Sequence, residues 1–405
     1  MDFKDKHIFL GITGGIAAYK SVELLRLLKK AGANVNVAMT GSAMHFMGKT
    51  TFEVLSENPV LTDLWKDTQS SVTHIDLATR AHAALIAPAT ANFIGKLAHG
   101  IADDALSTTM LAVTTPVMIC PSMNTDMYQN IRVQQNLDIL EKDGINILDP
   151  DSGVLACKTV GTGRLPDPWF IFDRFSALMT KKDLKGRKIL ISAGPTMEAI
   201  DPVRFISNHS SGKMGYAIAR AAEKRGARVV LVSGPVSIDP PVGVETIQVK
   251  TCAEMANAML SELPNADIII KVAAVADYRP LHTEVLKIKK TQDSDELTIA
   301  MTENMDILKR IGKLKTENQF LVGFAAETND LEKHALMKIG KKNLDMIAAN
   351  LVGSEESGFK ADTNKVKLFF KDGSAKDIPL MDKQKVAHIL LDTILQQTSK
   401  IKPEK

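Results

Sequence analysis

Apolar residues in this chain fall into short β-branched runs, separated by stretches in which they recur every three or four positions. The runs at 8–12, 35–39, 83–88, 116–120 and 145–148 predict strands buried on both faces. Between them, patterns such as Val22–Lys30 and Gln134–Lys142 predict helices with one apolar stripe. Such alternation predicts a parallel sheet covered by helices on both faces. A Gly/Pro-rich stretch from Asp149 to Pro168 and a helix ending near Thr180 close this half, and the charged run 181–187 predicts an interdomain linker. The pattern then restarts, with strands near 188–192, 228–232, 267–272, 319–324 and 345–348 and helices near 213–225, 252–262 and 330–342. Lys365–Phe370 followed by Lys371-Asp372-Gly373 predicts a hairpin, and 382–397 a closing helix. The expected fold class is α/β: two doubly wound, mostly parallel-sheet, Rossmann-like domains in tandem, over residues 1–181 and 186–405.

Each half opens with a strand that breaks into a glycine-containing turn. Ile8–Ile12 leads into Thr13-Gly14-Gly15, and Lys188–Ser192 leads into Ala193-Gly194-Pro195 and the polar loop Ser207–Lys213. Backbone N–H groups at such turns face anions, so two openings point to two active sites in one chain. Neither turn is G-x-G-x-x-G, which argues against a nicotinamide dehydrogenase. Ser211-Gly212-Lys213 lacks the upstream glycine of a P-loop.

The 405 residues suit two domains, and a net charge of +3 with dispersed basic residues gives no reason to expect nucleic acid. No signal peptide and no membrane-length apolar run is read, and Cys120, Cys157 and Cys252 show no C-x-x-C spacing. A cytoplasmic protein without disulfides or a zinc site is expected.

The motifs carry a family resemblance. Gly14–Lys20, His74, Pro121–Tyr128, Leu155–Lys158 and Gly161–Arg164 resemble the flavin-dependent cysteine decarboxylases. Arg204–Gly215, Ala273–Asp277, Lys287–Lys290 and Gly323–Thr328 resemble the phosphopantothenate–cysteine ligases, and the fusion resembles the bacterial bifunctional proteins of coenzyme A biosynthesis. Tyr128 departs from the family, which often has tryptophan there. The resemblance implies ligation of 4′-phosphopantothenate to cysteine through an acyl-cytidylate made from CTP, with Mg2+. It then implies FMN-dependent decarboxylation of 4′-phosphopantothenoylcysteine to 4′-phosphopantetheine, in a homo-oligomer with flavin sites at subunit boundaries. The alternatives are a regulatory flavoprotein and a decarboxylase of peptide cysteines; neither accounts for the second half.

For the flavin, Gly14, Gly15, Ser42, Thr90, Asn92 and Ser107 lie at or beyond strand ends, although glycine turns and Ser/Thr caps also serve structure alone. His74 suits an amphipathic helix start; the resemblance makes it the base for thiol oxidation. Asn124 suits a turn or a substrate carboxylate. Cys157, followed by Lys158 and Arg164, is placed for a lowered pKa, and the resemblance makes it the proton donor to the enethiol. In the ligase half the resemblance gives catalytic roles to Asn208 and Arg204. It assigns the nucleotide to Asp277, Lys287, Lys289, Asn304, Asp306, Phe324, Lys338 and Lys342. Asn208 could instead cap a helix starting near Ser211, and Lys338, Lys341 and Lys342 could be a solvated helix face. No metal ligands are assigned.

Overall fold

The computed structural model describes residues 3–66, 73–155, 160–289, 297–327, 331–351 and 361–401. The chain divides into two compact units, Met1–Thr180 and Lys181–Lys405.

The first unit is built on β1 (His7–Ile12), β2 (Asn34–Met39), β3 (Ala83–Ala89), β4 (Val117–Pro121) and β5 (Asn146–Ile147). They form one parallel sheet in the order β2-β1-β3-β4-β5. Ile8, Leu10 and Ile12 of β1 join one core, whereas Phe9 joins the core on the opposite face. Period-two alternation therefore feeds two apolar layers, and the sequence reads as a continuous apolar run. Helix Lys20–Lys30 buries Ser21, Leu24, Leu25 and Leu28, the three-and-four spacing that a single stripe requires. The Gly/Pro-rich stretch holds an antiparallel hairpin, β6 (Asp151–Val154) and β7 (Val160–Arg164). Its residues are mostly exposed, so no apolar period marked it.

In the second unit the strands are β8 (Lys188–Ala193), β9 (Met197–Ala199), β10 (Phe205–Ser207), β11 (Arg228–Ser233), β12 (Glu245–Gln248), β13 (Ile268–Lys271), β14 (Tyr278–Pro280), β15 (Met301–Glu303), β16 (Phe320–Glu327), β17 (Met346–Leu351), β18 (Thr363–Phe370) and β19 (Ala375–Asp382). Eight of them form one sheet, β12-β11-β8-β13-β16-β17-β18-β19. It is parallel through β17, and β18 and β19 close it as the antiparallel hairpin. β9 pairs with β10, and β14 with β15, as two small antiparallel arms. Helix Lys213–Lys224 is buried over most of its circumference, between the sheet and the closing helix Lys383–Ile401.

The run 181–187 is not a free linker. Leu184 is fully buried in the core of the second unit. The Asp183 carboxylate accepts from Arg225 Nε and Nη2 at 2.8 and 2.9 Å, and Arg225 also pairs with Asp392 at 2.7 Å. Local charge suggested a linker; the buried arginine that this charge answers lies 42 residues on. A fragment 181–405 is expected to fold with a higher melting temperature than 186–405, which lacks Leu184 and Asp183. The lost burial and ion pair are worth about 2–4 kcal/mol, or roughly 5–15 °C. Equal melting of the two fragments in a calorimeter counts against this boundary.

Candidate active sites

In the first sheet β1 pairs with β2 on one side and β3 on the other, and the chain runs from β1 out to β2 before crossing back to β3, so a crevice opens beyond the carboxyl ends of β1 and β3. Thr13, buried just after β1, donates from Oγ1 to Pro88 O at 2.8 Å and accepts from Thr90 N at 2.9 Å. That hydroxyl fixes the separation of the two turns. A cavity of about 1110 Å³ lies over them, lined among others by Gly14, Gly15, Ser42, Thr90, Asn92 and Asn124. Gly14 is required by close approach: a Cβ there would stand 2.3 Å from Ser42 Cβ. The volume exceeds the roughly 300–1,000 Å³ typical of one small-molecule ligand, which leaves room for a cofactor and a substrate together.

The hairpin β6–β7 supplies Val154, Gly163 and Arg164 to the same cavity. It is held down by Met123 N donating to Gly163 O at 3.0 Å. Asn124 caps helix Thr125–Gln129, its Oδ1 accepting from Asp126 N at 2.8 Å. Lys20 donates to Leu165 O at 2.5 Å; burial, and then the neighbouring Arg164 charge, pull its pKa down. Lys96 pairs with Asp103 at 2.6 Å and Asp104 at 2.9 Å, and both Lys96 and Asp104 line the cavity.

The second cavity lies beyond β8, β13, β16 and β17, at the corresponding end of the other sheet. Its volume is about 140 Å³. Gly194, Ser210–Gly215, Val272–Ala274, Phe324, Asn350, Asn364 and Lys383 are on its wall. Gly212 caps helix Lys213–Lys224 at φ +77°, a left-handed conformation that glycine adopts without strain. Lys213 pairs with Asp362 at 2.6 Å, and Lys383 donates to Ala361 O. Among the described residues, no group of three or more His, Cys, Asp or Glu could hold a metal ion.

Residues 2–179 match the family described as Flavoprotein, and residues 184–398 that described as DNA/pantothenate metabolism flavoprotein C-terminal domain. The chain is 49% identical over 395 residues to the coenzyme A biosynthesis bifunctional protein CoaBC of Bacillus subtilis, covering 96% of this chain and 97% of that one. The chain belongs to the CoaBC family. It is also 47% identical to the CoaBC of Vibrio parahaemolyticus, over 91% of this chain and 92% of that one. A crystal structure of the C-terminal domain of a CoaBC has 42% identity and a TM-score of 0.47, covering 55% of this chain and all of that one.

Set against the CoaBC family motifs, the cavities gather part of the residues singled out in the sequence. Gly14, Gly15, Ser42, Thr90, Asn92 and Asn124 share the first cavity. Ser107 is outside its lining: the residue is buried, and its hydroxyl accepts from Asp104 N and donates to Asp104 O in a capping box. His74, second residue of helix Thr73–Arg80 and half-buried, is also outside it. Cys157 lies outside the described residues. Tyr128 is not on the cavity wall either; its hydroxyl donates to Asp149 at 3.1 Å, and burial, then the Asp149 charge, push its pKa up to about 12. The departure from tryptophan thus lies off the cavity wall.

In the second unit, Phe324 lines the cavity and Asn208 adjoins it. Asn208 does not cap a helix: the helix begins at Lys213, and Asn208 Nδ2 donates to Ala274 O, on the cavity wall, at 2.9 Å. Beside it Asn304 donates from Nδ2 to Ala276 O and from its backbone N to Asp277 O. Asp306 pairs with Lys342 at 2.8 Å. Next to that pair stands Lys271, a lysine the sequence reading passed over; burial, then the Lys342 charge, pull its pKa down to about 8. Lys287 and Lys289 are exposed on the segment after β14, and Lys338 is on helix Leu331–Lys342. Ser210, inside the polar loop noted in the sequence, also lines this cavity; Asn350, Asn364 and Lys383 were missed, and no motif links them, since they come from three separate elements.

Proposed function

We propose that this chain makes 4′-phosphopantetheine in two steps: CTP-dependent ligation of 4′-phosphopantothenate with cysteine, then FMN-dependent decarboxylation of the product. The observation that carries this is the presence of both family regions in one chain, each over its own parallel sheet with a cavity at the carboxyl ends of its strands.

In the decarboxylase unit the Gly14–Gly15 turn, Ser42, Thr90 and Asn92 would hold FMN, with Ser107 acting from behind through the helix it caps. The close approach of Gly14 to Ser42 fits such a cradle. Bound there, FMN would supply a reversible hydride acceptor for the cysteinyl side chain. His74 would take the thiol proton, and Asn124 would orient the carboxylate that leaves as carbon dioxide. Cys157 would then protonate the resulting enethiol carbon. Because His74 is off the cavity wall of its own chain, we favour a homo-oligomer in which a second copy completes the site.

In the ligase unit the small cavity would take only part of a nucleotide. The rest would extend toward Asp277, Asn304, Asp306, Lys338 and Lys342, with Lys287 and Lys289 on the triphosphate and Mg2+ carried in with it. Attack of the 4′-phosphopantothenate carboxylate on the α-phosphorus expels pyrophosphate; the cysteine amine then expels cytidylate. These substrates, the absence of a membrane-length apolar helix among the described residues, and the unpaired Cys120 and Cys252 fit a cytoplasmic enzyme. Incubating the protein with 4′-phosphopantothenate, cysteine, Mg2+ and each nucleoside triphosphate in turn tests the reading by product mass. Amide formation with no triphosphate, or none with CTP, would refute it.

Cys157→Ser is expected to release carbon dioxide and stop at the enethiol, 2 Da below the normal product. His74→Asn is expected to release none. Mass spectrometry and labelled carbon dioxide separate the two, and normal 4′-phosphopantetheine from Cys157→Ser at an unchanged rate refutes the proton-donor role.

A further inference from the structure

None of these steps uses the carboxylate of Asp201, whose side chain is fully buried at the turn between β9 and β10. Its Oδ1 accepts from Val203 N and Arg204 N, each at 2.8 Å. Its Oδ2 accepts from Arg204 Nε at 2.9 Å, Arg204 Nη2 at 2.6 Å and Ile288 N at 3.2 Å. Arg204 Nη2 also donates to Ile288 O at 2.8 Å. Two further bonds join the same segments: Glu284 N donates to Ile200 O at 3.0 Å, and Thr283 Oγ1 to Ala199 O at 3.2 Å. One carboxylate thus ties the turn carrying Arg204 to the segment carrying Lys287.

We propose that Asp201 is a positioning residue for the ligase, holding Arg204 and Lys287 in one fixed arrangement for a pair of anionic substrates, a phosphorylated carboxylic acid and a nucleoside triphosphate. The proposal rests on the reading that Arg204 and Lys287 meet those substrates. The guanidinium is planar, so fixing its Nε and Nη2 edge also aims Nη1. The Arg204 side chain is still 41% exposed, enough to reach a ligand. Lys287 has a flexible stem, but its root is set because Ile288 is bonded through both its N–H and its carbonyl. Burial works against the charged carboxylate, yet Arg204 and the three backbone N–H groups hold its pKa well below the usual range. The tie therefore keeps its charge throughout the working range of an enzyme near neutrality.

Asp201→Asn separates the tie from the turn. An amide oxygen at Oδ1 still accepts from Val203 and Arg204, but an NH2 at Oδ2 turns donors toward Arg204 and Ile288 N–H. In the full-length protein we expect the KM for 4′-phosphopantothenate and the KM for CTP to rise together, each about tenfold or more, with flavin content and decarboxylation unchanged. Arg204→Lys keeps the cation but loses the two-pronged contact, and is expected to raise the 4′-phosphopantothenate KM to a similar degree. The double variant is expected to be no worse than the poorer single one, because residues acting as one unit are not additive. Unchanged KM values in Asp201→Asn, beside a raised value in Arg204→Gln, would overturn the tie alone. An unchanged KM in Arg204→Gln would instead sink the assignment of Arg204, and the proposal with it. A lower melting temperature with reduced kcat and constant KM would make Asp201 merely structural. Should Asp201→Asn fail to fold, a wild-type KM in Arg204→Lys would be decisive against the proposal.

Discussion

Replacing Lys287 with glutamine is expected to stop pyrophosphate release, whereas replacing Asn208 with aspartate is expected to let 4′-phosphopantothenoyl-cytidylate accumulate. The two ligase steps need different things. The first builds negative charge on a departing pyrophosphate, and a lysine on the exposed segment after β14 can offset it only while the triphosphate is present. Losing such a cation typically costs about 10²–10³ in rate. The second step needs the acyl-cytidylate held in line for the cysteine amine. Asn208 stands ready because its amide donates to Ala274 O on the cavity wall. Aspartate has no hydrogen to give there and sets a charged oxygen against the carbonyl, so the residue swings away while the helix start at Gly212–Lys213, which Asn208 does not cap, is left intact. Quenched-flow mass spectrometry distinguishes the outcomes. Normal folded content with no trapped intermediate in Asn208→Asp would defeat this division of labour.

The other large effect belongs to Gly14. A methyl group there would meet Ser42 Cβ at 2.3 Å and the Ser42 carbonyl carbon at 2.7 Å, and the latter is backbone that cannot rotate aside. Gly14→Ala should push apart the segments after β1 and β2 that line the first cavity, where FMN is proposed to bind. Overpacking of this kind costs about 1–3 kcal/mol, equivalent to roughly 5- to 150-fold weaker flavin binding. The variant should therefore purify pale and regain colour only with excess FMN, while its CTP-dependent amide formation stays normal. Full flavin occupancy at stoichiometric FMN would exclude the cradle.

What could be read in the sequence follows from how burial writes itself into a chain. β1, β8 and β13 are covered on both faces, so their residues form unbroken apolar runs, and the glycine turns after β1 and β8 announce the ligand ends of both sheets. The arms β9–β10 and β14–β15 have three residues per strand, too short for a period to register. A helix start near a strand end offers a ligand-facing hydroxyl at Ser107; in the structure that hydroxyl bonds the Asp104 backbone in a capping box, a contact no local pattern shows. Lys383 and Asn364 reach the second cavity because the antiparallel registers place the start of β18 and the end of β19 at the carboxyl end of β17, and nothing local to either residue carries that information. Leu184 illustrates the converse: one apolar residue among six charged or glycine neighbours reads as linker, until its burial partner arrives from elsewhere in the chain.

The order of the larger sheet leaves β19 as an outermost strand, with one side of its backbone unpaired by the sheet. A free strand edge invites pairing with another molecule and is a common seed of aggregation. Here Lys376, Asp377 and Asp382 put charges of both signs along the strand, and Pro379 removes one backbone donor. The proline also falls where the register with β18 skips, between Ile378 opposite Val366 and Met381 opposite Asn364, so the strand is bent as well as charged. The hairpin that completes the ligase sheet thus also blunts it. An incoming strand would have to bury those charges and bridge the irregularity, which guards newly made chains against sticking to one another.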